Sequence, residues 1–209
     1  MKKNIKLLIA IVSLISLSCY AFAQKAKTSL GGGIGACIEQ YNNTRVIIAS
    51  PAYTLKADFE WDKFGIAAVF DFTTFDFYSS SDTEQKYIDV SEGILCTPFY
   101  KFNNAKTLIT VGPTLGLTFN QSKNVTDADN SVSYSRGFIT FGATVEFKLS
   151  LSDKIDAYFE IPVLYNKISF GYKYKTISGG AKNETKYDGI MNYDTALYCI
   201  PKFGILFKL

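Results

Sequence analysis

Residues 52–72 read AYTLKADFEWDKFGIAAVFDF. From Tyr53 to Trp61 every second residue is apolar (Tyr53, Leu55, Ala57, Phe59, Trp61), and between them stand Thr54, Lys56, Asp58 and Glu60. Beyond Asp62-Lys63 the alternation restarts with Phe64, Ile66, Ala68, Phe70 and Phe72. A period of two means extended strands, because successive side chains in a strand point to opposite faces. The fold turns on which face meets water. With the apolar face inward the chain is a soluble sandwich or barrel; with it outward, the solvent on that side is lipid.

The N-terminus is set aside before the count of strands. MKKNIK is a short cationic segment, LLIAIVSLISLSCY is an apolar run short for a membrane span, and Ala21-Phe22-Ala23 is an A-x-A cleavage site followed by Gln24. Residues 1–23 therefore read as a secretory signal peptide cleaved between Ala23 and Gln24, with residues 24–209 as one barrel domain. A lipoprotein alternative rests on Cys19 after Leu17-Ser18, but Ser16 stands where such signals carry a large aliphatic residue. Lys2, Lys3 and Lys6 leave with the leader, so nineteen basic residues face nineteen acidic ones in the remainder. No basic stripe is left to neutralise phosphates, which argues against nucleic-acid binding.

Cys37, Cys96 and Cys199 remain, far apart and without metal-site spacing, so they read as small apolar strand residues. The sequence carries no histidine. No metal or cofactor site is expected. Aromatic residues make up 15% of the chain, a level that favours strands and membrane interfaces.

From Leu30 onward the chain divides into eight extended runs. The first has Leu30, Ile34, Ala36 and Ile38 on one face against glycines, and the second and third form the quoted hairpin. The fourth spans about Ile88 to Phe102. The fifth sets Ile109, Val111, Leu115, Leu117 and Phe119 against Thr110, Gly112, Thr114, Gly116 and Thr118. The sixth sets Ile139 through Leu149 against Thr140, Gly142, Thr144, Glu146 and Lys148, and the seventh sets Ile155 through Tyr165 against Asp156, Tyr158 and Glu160. The last carries Leu197, Cys199, Phe203, Ile205, Phe207 and Leu209. Short turns at 62–63, 103–106 and 150–153 alternate with longer polar connections near 40–45, 79–87, 120–133 and 176–189. Antiparallel strands with tight turns at one rim and long loops at the other follow the transmembrane-barrel pattern.

Volume decides the orientation. An eight-stranded barrel has an interior barely wide enough for side chains, and the bulky apolar set would overfill it. The opposite set, rich in Gly31, Gly33, Gly35, Gly65, Gly112, Gly116, Gly142 and threonine, fits a narrow polar lumen. The apolar face is therefore expected outward, in an eight-stranded antiparallel up-and-down transmembrane β-barrel. Trp61, Phe64, Tyr100, Phe102, Phe147 and Phe207 gather by the short turns, and Phe119, Tyr165 and Tyr193 towards the loops, as two aromatic girdles would. The alternation slips at Phe75 and Phe77, and again at Ile168, Phe170, Tyr172 and Tyr174, which predicts bulges or strands leaving the bilayer. Glu92 falls on the outward parity of the fourth strand. Pro98, Pro113 and Pro201 lie inside strands, where each removes a ladder donor.

On these residues the chain resembles the small eight-stranded outer-membrane barrels of Gram-negative-type bacteria, the class of OmpX, OmpW and the OmpA membrane domain. The resemblance spans residues 24–209 and is sharpest at Phe203-Gly204-Ile205-Leu206-Phe207-Lys208-Leu209, similar to the terminal signal read by the barrel-assembly machinery, with Leu209 in place of the usual final aromatic. It implies a bacterial outer-membrane location and lipid as the surrounding partner.

Function divides into three readings. Catalysis is not expected: enzymes of this class rely on an active-site histidine, and Asp58 and Glu60 read as lumen charges. A narrow pore, or an OmpW-like conduit for small apolar molecules, depends on whether the lumen charges Lys56, Asp58, Glu60, Asp71, Glu146, Lys148, Asp156, Glu160, Asp194 and Lys202 pair into a plug, and on whether the glycine-rich strands leave space. A structural barrel, or one that binds an extracellular ligand or host surface through its long loops, is the leading reading. Arg45 and Arg136 lie at the loop ends, and Phe170, Tyr172 and Tyr174 would offer an edge or extend the girdle. A periplasmic lipocalin-like binder is the soluble alternative, and it requires an apolar lumen.

Overall fold

The computed structural model describes residues 26–41, 47–79, 82–104, 107–124 and 131–209. The proposed leader with Ala23 and Gln24, together with Arg45, lies outside them. The strands are β1 (Lys27–Tyr41), β2 (Ile47–Glu60), β3 (Phe64–Ser79), β4 (Asp82–Asn104), β5 (Thr107–Asn124), β6 (Ser131–Ser152), β7 (Ile155–Ser178), β8 (Ala181–Cys199) and β9 (Lys202–Lys208). Each pairs antiparallel with its neighbours, and β1 pairs with β2 on one side and with β8 and β9 on the other. The sheet therefore closes on itself and leaves no edge, which is how a barrel satisfies its backbone groups in hydrocarbon.

Nine strands make eight staves. β8 and β9 keep one register against β7, from Val163↔Cys199 to Ile155↔Phe207, and one register against β1, from Ile38↔Cys199 to Ser29↔Lys208. The break falls at Ile200-Pro201, where proline lacks the ladder donor. Even there Ile200 N–H donates to the Pro162 carbonyl and Ala36 N–H to that of Pro201, both at 3.2 Å.

The apolar face points outward. Leu55 is 66% exposed, Ile34 65% and Leu115 61%, whereas Lys56, Asp58, Thr114 and Glu146 are buried. Phe70 is exposed and Thr114 enclosed, so the lumen is not the apolar one a lipocalin-like binder requires. An exposed apolar band around a closed sheet is a surface built for lipid. On β5 the band runs from Val111, level with Tyr100, up to Phe119. Those nine residues rise about 20 Å along a tilted strand, close to the height of such a band.

The long-loop expectation is corrected. Where loops were expected at 79–87 and 176–189, the strands continue: β3 runs to Ser79 and β4 starts at Asp82, while β7 and β8 meet at Gly179-Gly180. Both glycines have positive φ (55° and 81°), the backbone a two-residue hairpin turn requires. Lysine and asparagine between alternating residues read as loop chemistry, but on a solvated hairpin both faces are polar. Tyr172 and Tyr174 offer no edge, because β7 is paired on both sides here.

Phase slips resolve unequally. β7 shifts register at Asn166/Ile168 and again at Phe170/Tyr172, the second at Gly171 with φ 61°. β3 against β4 runs unbroken from Phe64↔Tyr100 to Tyr78↔Lys86, so no bulge occurs at Phe75 or Phe77. Glu92 lies on the same unbroken ladder between Phe72 and Phe119, on the parity of exposed Ile94.

Candidate functional site

The lumen is the most heavily charged interior region of the molecule. Parity places Lys56 and Asp58 of β2 inward, and it does the same for Glu146 and Lys148 of β6, four staves away on the opposite wall. Lys56 Nζ lies 2.7 Å from Glu146 and 3.8 Å from Asp58, and it also donates to Glu160. Lys148 Nζ is 2.6 Å from both Asp58 and Glu60 and 3.6 Å from Glu146. Lys202 of β9 bridges Asp71 at 2.9 Å and Glu160 at 3.1 Å. Buried charges persist only when paired and hydrogen-bonded, and this set ties β2, β3, β6, β7 and β9 together across the bore.

Of the ten candidate lumen charges, Lys56, Asp58, Glu60, Asp71, Glu146, Lys148, Glu160 and Lys202 meet in this cluster. Asp156 stands apart at the short-turn rim, 2.7 Å from Lys208. The side chain of Asp194 lies outside the described residues. Two further lysines join the interior charges: Lys208, and Lys101, which reaches Glu60 at 3.4 Å and donates to the Trp61 carbonyl. Each follows an outward aromatic, Phe207 or Tyr100, so parity alone would have placed both inward.

Aromatic and hydroxyl groups fill the remainder. Lys56 lies 4.9 Å from the centre of the Tyr158 ring and Lys148 5.4 Å from that of Phe99, a favourable placement for a cation. The glycines do not leave the bore empty. Gly33 makes room for Tyr158, whose hydroxyl would stand 2.6 Å from a Cβ added there, and Gly65 lies directly beneath the Phe99 ring. Above the charges, Thr97–Thr114 (2.8 Å), Thr114–Thr144 (2.6 Å) and Thr118–Thr140 (2.7 Å) bond hydroxyl to hydroxyl, and Tyr198 joins Thr118 at 3.1 Å. Val69, Leu95, Leu164 and Ile200 pack in the same interior, with Cys37 against them. Cys199 lies on the outward parity beside Ile38, and the two cysteines form no disulfide with each other.

Outside, Phe64 and Tyr100 meet edge-on at 5.3 Å, as do Tyr100 and Phe102 at 4.9 Å. Phe207 and Phe147 are exposed near the same rim, and Trp61 is half-buried. Towards the other end Phe119 packs edge-on against Phe170 at 5.9 Å, and Phe141 packs against Tyr165 at 5.1 Å. The Tyr193 side chain lies outside the described residues. On the β7–β8 hairpin Glu184 takes a 2.8 Å contact from Lys186 and a 3.5 Å one from Lys173. The hydrogen bond from Lys186 holds the Glu184 carboxyl below its usual range.

No family model matches the sequence, and no curated protein matches it. Solved structures match its fold. Ail, the attachment invasion locus protein of Yersinia pestis, superposes with a TM-score of 0.60 at 11% identity, over 88% of this chain and 99% of that one. A major outer membrane protein from Thermus thermophilus gives 0.58 at 14% identity, over 88% and 99%. The outer membrane protease OmpT from Escherichia coli gives 0.51 at 6% identity, over 88% and 97%. The chain has the closed antiparallel fold that these membrane barrels share.

Proposed function

We propose that the protein is an integral barrel of the bacterial outer membrane, closed to solutes and without catalytic activity, which works through the hairpins it holds outside the cell. One observation carries this reading: Lys56 is enclosed by Glu146, Glu160 and Asp58, so the bore is occupied by a bonded charge cluster where a channel needs water. The absence of histidine from the sequence supports the non-catalytic part, as does the engagement of both Asp58 and Glu60 by Lys148. Residues 1–23 act as the leader, cleaved after Ala23. The exposed Phe203, Ile205 and Phe207 of β9 present the alternation that the assembly machinery reads.

The hairpins are the working surface because they rise beyond the apolar band, and recognition sits on segments held by a rigid scaffold. Ail, which shares the fold, has also been solved with the heparin analogue sucrose octasulfate, and an extracellular ligand or host surface is the class of partner proposed here. The test is Lys182→Cys in a background with Cys37, Cys96 and Cys199 replaced by serine. A membrane-impermeant maleimide added to intact cells labels the introduced thiol if the hairpin is outside. Labelling only after lysis contradicts the reading.

A second reading, a lateral route for small apolar molecules, is favoured by one feature. The β4–β5 ladder lapses between Cys96↔Leu115 and Tyr100↔Val111, beside an outer crevice of about 690 Å³ lined by Phe64, Ile66, Pro98, Phe99 and Pro113. Uptake of a fluorescent aromatic into protein-loaded vesicles, absent from protein-free ones, would support it.

A further inference from the structure

Three successive rungs of the β5–β6–β7 sheet change character as they leave the membrane. On the first, Phe119, Gly137 and Phe170 are ladder partners, and the two rings close over the glycine. The next rung carries Gln121, Ser135 and Lys173, and the one after it Lys123, Ser133 and Lys175. The bulge at Gly171 lets this happen. It inserts one residue, so Lys173 and Lys175 share the outward face with Phe170, while Tyr172 turns inward beneath Arg136, whose guanidinium is 4.5 Å from its ring centre.

The result is an outward-facing cleft of about 630 Å³ bordered by Gln121, Lys123, Ser133, Ser135, Lys173 and Lys175. Lys123 and Lys175 flank Ser133 on one rung, so their Cα atoms are about 10 Å apart, and Lys173 stands about 7 Å below Lys175. Lys173 has Glu184 at 3.5 Å. Among the described residues, Lys123 and Lys175 have no carboxylate within ion-pair distance. Three ammonium groups, two hydroxyls and an amide thus gather on one exposed face, with a single carboxylate beside them.

Position identifies the partner. These side chains point sideways, away from the bore, and begin one rung above the aromatic pair that marks the membrane interface. The layer met there is the headgroup layer of the leaflet, and basic residues at that level attract anionic lipid phosphates. We propose that this cleft is a binding site for the phosphate groups of an anionic glycolipid of the outer leaflet, with Lys123, Lys173 and Lys175 as its cationic ligands and the serine hydroxyls as supporting donors. The inference rests on the hairpins being external, as proposed above. It adds a lipid partner to the flank of the barrel, distinct from whatever the hairpin tips meet.

The test reconstitutes the leader-free protein in phosphatidylcholine vesicles containing about 10 mol% of lipid A with both phosphates, or of the same lipid without them. Lipid retained after detergent extraction is then counted. The site predicts retention of the phosphorylated form alone, weakening as salt rises because exposed charges are screened. Removing all three charges (K123Q, K173Q, K175Q together) should weaken retention on the order of a hundredfold, while K182Q with K186Q at the tip should leave it unchanged. Equal retention of the dephosphorylated lipid overturns the proposal, and wild-type protein alone gives that answer if the triple variant fails to fold. Displacement by millimolar inorganic phosphate would assign the cleft to a soluble anion and overturn the lipid source. Vesicle retention is indifferent to orientation in the cell, so an internal hairpin, read by maleimide labelling of the Lys182→Cys variant, sinks the functional reading separately.

Discussion

Lys56 and Glu146, ninety residues apart in the chain and on opposite walls of the barrel, meet at 2.7 Å in the middle of the bore. Asp58 and Lys148, the next inward residues on the same two strands, meet at 2.6 Å with the charges reversed. A Lys-x-Asp on β2 thus faces a Glu-x-Lys on β6. Removing one member strands its buried partners, so Lys56→Met should cost about 3–5 kcal/mol. The Lys56→Met/Glu146→Gln pair should cost less than the sum of the single changes. Urea midpoints of refolded protein check this. Glu146→Ala and Asp58→Ala should each lower the midpoint more than Glu184→Ala, whose partners are exposed and weakly coupled. Equal midpoints for all three would contradict an internal network.

Tyr158 fills space without bonding through its hydroxyl. The ring lies over Gly204 and Gly33, and the buried oxygen has no hydrogen-bond partner among the described residues. Tyr158→Phe should therefore leave the urea midpoint unchanged or raise it, whereas Tyr158→Ala should cost about 3–5 kcal/mol through the cavity it opens. A clear loss in the phenylalanine variant would mean that the hydroxyl is bonded.

Pro98 and Pro113 stand opposite each other where the β4–β5 ladder lapses, between Cys96↔Leu115 and Tyr100↔Val111. Neither offers an N–H, and the nearest cross-strand bond inside the barrel is that between the Thr97 and Thr114 hydroxyls at 2.8 Å. Amides at 97–99 and 112–114 should exchange hydrogen faster than those of 140–145 on β6, where the ladder is continuous. Mass spectrometry of exchanged protein in detergent reads the difference. Uniform protection across both segments would contradict it.

The β7–β8 hairpin hangs on its turn. Gly179 and Gly180 both occupy the left-handed region, where a side chain costs roughly 1–2 kcal/mol. Replacing both with alanine should loosen the hairpin, and trypsin should then cut sooner at Lys175, Lys182 and Lys186. The membrane-embedded part should stay resistant. Unchanged cleavage would mean that the turn is not glycine-dependent.

The membrane-embedded fold was legible because it is written at period two. Tyr53 through Phe72 showed strand, turn and facing at once, and the outward exposure of Leu55 and Phe70 follows from that phase. The pairing of Lys56 with Glu146 was not legible, since it depends on closure and shear, which relate residues ninety positions apart. Beyond the membrane the pattern fails for a physical reason. Thr176 to Lys186 have water on both faces, so nothing there selects apolar residues, and a hairpin reads as a loop. The glycine-rich strands mislead in the opposite direction: Gly33 of β1 reads as unfilled space, but the Tyr158 ring fills it.

The closed bore is tested most directly by single-channel recording of the leader-free protein refolded into a planar bilayer, with insertion verified independently. The charge cluster around Lys56 predicts no discrete current steps from the wild type, and intermittent openings once Lys56 and Lys148 are both replaced by serine. Regular, reproducible steps from the wild type would contradict the plug and make the protein a pore.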